Sequence, residues 1–295
     1  MSAFYHEPVL VEEVLAIWVT DPRGRYLDGT VGGAGHAEAL LQRFPQTTLI
    51  GFDRDPEALE ASRERLRPFG ARVRLTQADI GDVASVLRDL GGDPVMGILF
   101  DLGISSRQID DPSRGFSYLG DGPLRMTLDR DAGEGLAEFL AAQTPASLTR
   151  IFQTLGELPG ARRAARSVQA ARDAGELTGT PSLAEAWHKG GGGAPKCLAV
   201  NRELESLDRA LEGAAEALPA DGVLAVISFE SLMDRKVKHA FRPPRLDRPV
   251  PGIPDPPRTW EPLTRGAVRP TDAEIHRNTR ARSARLRAAR RVRHD

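Results

Sequence analysis

Short apolar runs alternate with amphipathic stretches through the first third of the chain, and this alternation narrows the available folds more than any other feature. Tyr26-Leu27-Asp28, Thr48 to Asp53, Val73-Arg74-Leu75 and Met96 to Asp101 read as buried parallel strands. Between them, Ala37 to Phe44, Pro56 to Leu66 and Val83 to Leu90 repeat apolar residues at three- and four-residue spacing, with Pro56 where a first helical turn tolerates proline. Strands alternating with crossover helices predict a parallel sheet covered on both faces. A fifth strand is expected at Gly222 to Phe229, preceded by a helix over Asn201 to Leu218. About 120 residues separate Asp101 from Gly222, far more than the dozen or so that a crossover needs. An inserted subdomain is therefore predicted at 107–195. Its sequence reads as helices over Leu136 to Ala142, Pro145 to Leu155, Arg162 to Asp173 and Pro181 to His188.

The first strand runs directly into Asp28-Gly29-Thr30-Val31-Gly32-Gly33-Ala34-Gly35-His36, after which a helix begins. Glycines let a backbone turn tightly and approach a ligand, and a helix N-terminus offers free N–H groups. The segment reads as a cofactor loop, although a glycine-rich turn can also be only structural. Asp53 ends the second strand, about 25 residues beyond Asp28, at the place where doubly wound folds put an acceptor for ribose hydroxyls. The alternative is that Asp53 or Asp55 caps the helix starting at Pro56. A dinucleotide fingerprint from Gly33 would need a small residue where Glu38 stands, so nicotinamide binding is disfavoured. S-adenosyl-L-methionine lacks a pyrophosphate and suits such a loop, with Asp28 near its ammonium or sulfonium charge. Asp101 ends the fourth strand, followed by Leu102-Gly103-Ile104-Ser105-Ser106. It stands at the sheet edge where ligands bind, or else caps the following segment. Asp101, with the hydroxyls of Ser105 and Ser106, could accept hydrogen bonds from an exocyclic amine.

The 295 residues, 40% of them hydrophobic, can form one large domain or two modest ones. No basic region precedes an apolar run at the N-terminus, and no uncharged stretch approaches the roughly 18 residues of a membrane span. A cytoplasmic location with no membrane association is expected. The lone Cys197 cannot form an internal disulfide and has no neighbours at zinc-ligand spacing, so no metal site is expected. The net charge of −1 hides eight arginines and one acidic residue between His276 and Asp295, a bias that suits an RNA backbone or a solvated face equally. Gly190 to Gly193 reads as a flexible link, and the seven prolines between Arg242 and Arg258 predict an extended surface loop. Ala281 to Arg291 fits helix or strand; two-residue alternation favours a half-exposed final strand.

The ordered motifs resemble the bacterial family of small-subunit (16S) ribosomal RNA cytosine-N4 methyltransferases. They are His6 to Leu10, Asp28 to His36, Asp53-Arg54-Asp55-Pro56, Asp101 to Ser106 with Gln108, Asp110 to Ser117, Asp121 to Leu124, Val200 to Leu204, Ile227 to Arg235 and Arg280 to Arg287. The resemblance implies a Rossmann-like class I methyltransferase α/β sheet with an inserted helical subdomain, 1–106 and 196–295 binding the cofactor and 107–195 recognising substrate. It implies S-adenosyl-L-methionine contacts at Ala34, Gly35, His36, Asp53, Ile80, Asp101 and Gln108. Ile80 replaces the family's usual Phe, which turns an adenine stack into apolar packing. Arg125, Leu158, Glu230 and Met233 also depart from the pattern, and Pro195 to Ala199 replaces a segment usual before Val200.

The substrate so implied is a cytidine of small-subunit ribosomal RNA within the 30S subunit. It is methylated by direct in-line transfer with Asp101 orienting the amine. No covalent intermediate is expected, since no motif surrounds Cys197. Phe116, Tyr118 and Trp187 are candidates to stack on the base, and Arg162, Arg163, Arg166 and the C-terminal arginines to hold phosphates; each is equally a core or solvated residue. A methyltransferase of proteins or small molecules, and a non-catalytic RNA-binding factor, are the competing readings. No motif argues for dimerisation, and a homodimer is left open.

Overall fold

A computed structural model describes residues 7–117, 120–129, 134–190, 200–242 and 258–293. The chain divides into two compact units, Met1–Gly103 with Glu205–Asp295, and Ile104–Leu204. Seven strands build the first unit's sheet: β1 (Arg25–Asp28), β2 (Thr48–Asp53), β3 (Val73–Gln77), β4 (Val95–Asp101), β5 (Val223–Ser228), β6 (Trp260–Pro262) and β7 (Arg285–Arg291). Their order is β3-β2-β1-β4-β5-β7-β6. The pairs from β3 through β5 are parallel, and β7 runs antiparallel to both β5 and β6.

The helices of this unit are α1 (Val11–Trp18), α2 (Gly35–Arg43), α3 (Pro56–Leu66) and α4 (Val83–Leu90) in the first part of the chain. The second unit carries α5 (Ser106–Asp110), α6 (Leu136–Ala142), α7 (Pro145–Thr154), α8 (Ala161–Asp173) and α9 (Thr180–Lys189). Helix α10 (Glu203–Ala217) leads back to the sheet, followed by α11 (Ser231–Ala240) and α12 (Asp272–Arg277). The class I sheet with a helical insertion expected from the sequence is thus the architecture found.

Alternating strand residues face opposite layers. Tyr26, Leu49, Leu99, Ala225 and Leu286 join Trp18 of α1, Leu40 of α2 and Leu59 of α3 in one buried cluster. Their neighbours Leu27, Ile50, Phe100, Val226 and Ala289 are also buried, on the other face. Phe116, Leu140, Leu148, Phe152, Val168 and Trp187 centre a separate core in the helical unit.

Two expectations need correction. The sequence predicts a buried third strand, yet β3 is an edge strand with no fully buried residue. It has one neighbour only, and Arg74 and Thr76 alternate with its apolar side chains. The segment 281–291 splits into a 3-10 turn, Thr279–Ser283, and the strand β7. That strand is not half-exposed. It lies between β5 and β6, with Leu286 and Ala288 fully buried on one face. On the other face Arg287 is 14% exposed and forks onto Asp234 of α11 at 2.7 and 3.1 Å. Arginine at alternate positions suggested solvent; a partner acid on a covering helix brings it inside. The proline-rich loop, Gly191 to Gly193 and Cys197 lie outside the described residues.

Candidate cofactor site

Three carboxylates stand at the carboxyl edge of the sheet. In register, Asp28 lies beside Gly51 of β2 and Leu99 of β4, so Asp53 and Asp101 each sit two residues further along the flanking strands. The chain proceeds from β1 to β2 and β3 on one side and resumes with β4 on the other. The three acids therefore surround the crevice where the strand order reverses.

The loop after β1 is strapped to all three strand ends. Gly29 N–H donates to Leu99 O at 2.8 Å, Val31 N–H to Phe52 O at 2.8 Å, and Gly32 N–H to Asp53 Oδ2 at 2.9 Å. Thr30 Oγ1 accepts the Asp101 N–H at 2.6 Å, and Thr30 N–H donates to Asp28 Oδ1 at 3.1 Å. A Cβ on Gly29 would overlap the Phe100 ring. Gly32 takes φ +48°, and Ala34 accepts φ 61° immediately before α2, a strained choice for a residue with a side chain. From α3, Ser62 Oγ donates to Gly32 O and Arg65 Nη1 to Gly33 O, both at 2.7 Å. Arg65 also pairs with Glu38 at 2.7 Å, so the residue that spoils a dinucleotide fingerprint anchors the loop to the next helix.

The ambiguity over the β2 acids resolves between the two candidates. Asp55 caps α3, accepting the Glu57 N–H at 3.0 Å. Asp53 Oδ1 takes the Asp55 N–H at 2.9 Å instead. Ile80 is partly buried and opens the 3-10 turn Ile80–Asp82. Asp79, which sequence reasoning passed over, caps that turn and gathers Arg54, Ser206 and Arg209 at 3.1 to 3.2 Å.

His36 is 5% exposed, with Nε2 at 2.8 Å from Val9 O and Nδ1 at 3.7 Å from Asp101 Oδ2. The Asp101 side chain keeps 26% exposure, yet its Oδ1 is buried and, among the described residues, has no hydrogen-bond partner. Burial pushes the Asp101 carboxyl up to about 7. Asp28 rises to about 7 as well, through burial and the neighbouring Asp101 and Asp53, against the opposing effects of His36 and the Thr30 N–H. Asp53 rises to about 6 by burial, opposed by the backbone N–H groups it accepts. Burial lowers the His36 pKa, with Asp28, the bond to Val9 and Glu274 acting the other way. Three neighbouring carboxyls, each more basic than an exposed aspartate, form a site short of positive charge. The sulfonium and ammonium of S-adenosylmethionine are the charges such a site lacks, and the orphaned Oδ1 is an acceptor awaiting a donor.

The sequence matches one family throughout, over residues 3–193 and 197–292. The chain belongs to the MraW methylase family. A relative from Streptomyces avermitilis named ribosomal RNA small subunit methyltransferase H is 40% identical, over 100% of this chain and 99% of its own. Another of that name, from Parafrankia, is 43% identical over 97% of this chain and 94% of its own. Among solved structures, TrmN from Thermus thermophilus aligns with a TM-score of 0.44 at 13% identity, covering 96% of this chain and 48% of that one.

In this member of the MraW methylase family, the remaining site candidates are each described within their own unit. Gln108 belongs to the helical unit. Its Oε1 accepts the Ser105 N–H at 2.9 Å while Ser105 Oγ takes the Gln108 N–H at 3.3 Å, a capping box for α5. The Ser105 hydroxyl, proposed from sequence as an amine acceptor, is thus engaged in a cap. Phe116 and Trp187 are core residues, 8% and 5% exposed, with Trp187 edge-on to Phe152 at 4.2 Å. They are not presented for stacking, because a helical unit of this size needs its large aromatics inside. Tyr118 lies outside the described residues. Arg162, Arg163 and Arg166 are exposed on α8, although Arg163 Nε donates to Gly190 O at 2.8 Å. The C-terminal arginines divide: Arg277, Arg280, Arg282 and Arg293 are exposed, whereas Arg287 pairs with Asp234 and Arg291 donates to Ala215 O and Thr259 O. Among the described residues, no helix is long and apolar enough to cross a membrane, and no group of three or more His, Cys, Asp or Glu is placed to hold a metal.

Proposed function

We propose that this S-adenosylmethionine-dependent methyltransferase methylates the exocyclic N4 amine of a cytidine in small-subunit ribosomal RNA, acting on the 30S subunit in the cytoplasm. The observation that carries the reading is the convergence of Asp28, Asp53 and Asp101 on the glycine loop in a chain of this family. Bound there, S-adenosylmethionine supplies a methyl group made electrophilic by its sulfonium.

The residues present fit that group. Gly32 to Gly35 offer backbone at close approach, with His36 buried at the start of α2. Asp53 already accepts two N–H groups and keeps further lone pairs for ribose hydroxyls. Asp28 faces the positive end, and Ile80 contributes apolar contact. Gln108 is assigned a cofactor role by the family resemblance alone. Asp101 would hold the amine, its Oδ1 accepting an N–H and so orienting the nitrogen for methyl transfer. The amine need not be deprotonated before attack, so a strong base is not required. The helical unit, taken as 107–195, recognises the RNA, with Arg162 and Arg166 of α8 on phosphates.

Methyl transfer to small subunits isolated without the modification, compared with naked ribosomal RNA and followed by mass mapping of nucleosides, tests this. N4-methylcytidine at one position, formed preferentially on subunits, is expected. Methyl transfer indifferent to RNA, or cofactor binding with no transfer, would replace the proposal with a different substrate or a non-catalytic role.

A further inference from the structure

The segment Glu7 to Leu10 touches the start of α2 at two points. Val9 O lies 2.8 Å from Nε2 of His36, and that nitrogen carries the hydrogen because a carbonyl oxygen only accepts. Pro8 packs on Gly35 so closely that a Cβ there would stand 2.7 Å from the Pro8 Cβ and Cγ. Gly35 and His36 follow Ala34, whose φ of 61° a residue with a side chain keeps only under constraint from its surroundings. The segment therefore braces, from outside, the residues at which the loop turns into α2.

The brace is itself anchored from far along the chain. Leu10 N–H donates to Glu274 Oε1 of α12 at 2.7 Å, across 264 positions, and Asn278 Nδ2 donates to Glu7 O at 3.2 Å. Asn278 is 7% exposed, and its Oδ1 accepts the Arg280 N–H at 3.2 Å. Arg277 adds a looser pair with the Glu7 carboxylate at 3.5 Å, both side chains being more than half exposed. Leu10 needs such an anchor. It precedes α1 with φ 57°, a costly conformation for a residue with a Cβ, and makes no side-chain cap for that helix. Glu274 supplies the missing acceptor at the N-terminus of α1, where the helix dipole also favours a carboxylate.

We propose that Glu274 is a positioning residue for cofactor binding: through Leu10, Val9 and Pro8 it latches the turn Ala34-Gly35-His36 in the shape that receives S-adenosylmethionine, although none of the site residues lies on α12. The inference rests on the cofactor reading above. A turn already in place requires no ordering when the ligand arrives, so loosening the latch weakens binding by the fraction of molecules in which the turn is out of place. Once bound, the cofactor holds the turn itself. The latch thus acts on affinity and not on the methyl-transfer step. Linkage is reciprocal, so the cofactor in turn tightens the Leu10–Glu274 bond.

Titration calorimetry of the full chain with S-adenosylmethionine, paired with single-turnover methyl transfer to small subunits at saturating cofactor, separates affinity from chemistry. Glu274→Ala removes the acceptor and should raise Kd about 10-fold, with the saturated rate within about twofold of the parent. Glu274→Gln keeps an oxygen acceptor and should restore affinity to within about threefold. In the parent, hydrogen exchange at the Leu10 amide should slow on cofactor addition; in Glu274→Ala it should be fast with or without cofactor. A folded Glu274→Ala with parental Kd, a Glu274→Gln as weak as Glu274→Ala, or a parental Kd beside a slowed transfer step overturns the proposal. Should Glu274→Ala fail to fold, Asn278→Ala, which releases the other end of the segment, takes its place. Binding about threefold weaker then supports the latch, and parental binding overturns it. No binding of S-adenosylmethionine by the parent protein removes the cofactor reading itself, whereas parental binding that survives the loss of Glu274 removes only the latch.

Discussion

Each carboxyl at the crevice is more basic folded than unfolded, and this sets a pH dependence opposite to that of most surface acids. Asp28 and Asp101 rise to about 7 and Asp53 to about 6, from a reference of 3.8. The folded state therefore binds these protons more tightly, so the stability they contribute is complete below pH 3.8 and is lost as pH climbs through about 7. His36 works the other way: its lowered pKa gives stability that is present above 6.5 and lost as pH falls through its folded value. The cofactor-free protein should gain thermal stability from pH 8 to about pH 6.5. Asp28→Asn should remove much of that gain and raise the midpoint at pH 8 by roughly 3 °C or more. A scan of melting temperature against pH, with and without S-adenosylmethionine, measures it; equal pH profiles for both proteins would contradict the placement of the charge cluster. For turnover, Asp101→Asn keeps the shape of the side chain but offers one carbonyl in place of a carboxylate. A loss on the order of 10²-fold in kcat is expected with cofactor affinity changed far less, read from single-turnover rates and binding titration.

Among the elements, β7 depends most on its surroundings. Its sequence, Arg285 to Arg291, carries four arginines among seven residues, yet it is paired on both edges. The Arg287–Asp234 fork between β7 and α11, with both side chains about 15% exposed, makes this tolerable. Removing the acid alone strands a guanidinium inside the fold. Asp234→Ala should cost about 3 kcal/mol in urea unfolding, whereas Arg287→Met with Asp234→Leu should come close to the parent protein, because a desolvated ion pair adds little net stability over apolar packing. Equal losses in the single and double variants would show that the strand does not need the pair. Helix α3 shows local sequence and tertiary contact working together: Asp55 and Pro56 set its start, while Ser62 and Arg65 reach from its far end to the loop carbonyls.

At the scale of the molecule, the proposed function gives the sheet unit a small cation to bind and the helical unit, with its exposed arginines on α8, a phosphate backbone, two tasks with different physical signatures. Arg162 and Arg166, one helical turn apart on α8, are exposed. Their joint replacement by Gln should leave cofactor binding unchanged and reduce the slope of log affinity for RNA against log salt by about 1.5, measured on small subunits across a salt series. An unchanged slope would assign the phosphate contacts to other residues, the exposed Arg277, Arg280 and Arg282 being the next set. The sequence alone determined what is local and periodic. The strand–helix alternation, the loop after β1, the proline start of α3 and the acids at strand ends follow from residue spacing, because the forces behind them act within a turn or a strand. Tertiary structure decided what depends on distant partners: that β3 is an edge, that β7 is enclosed, that Asp55 rather than Asp53 is the cap, and that Phe116 and Trp187 are core. It also brought Thr30 and His36 to Asp101, and the Val9 carbonyl to His36, contacts that no spacing rule encodes. The burial that raises the Asp101 carboxyl arises only when strands far apart in the chain end at the same edge.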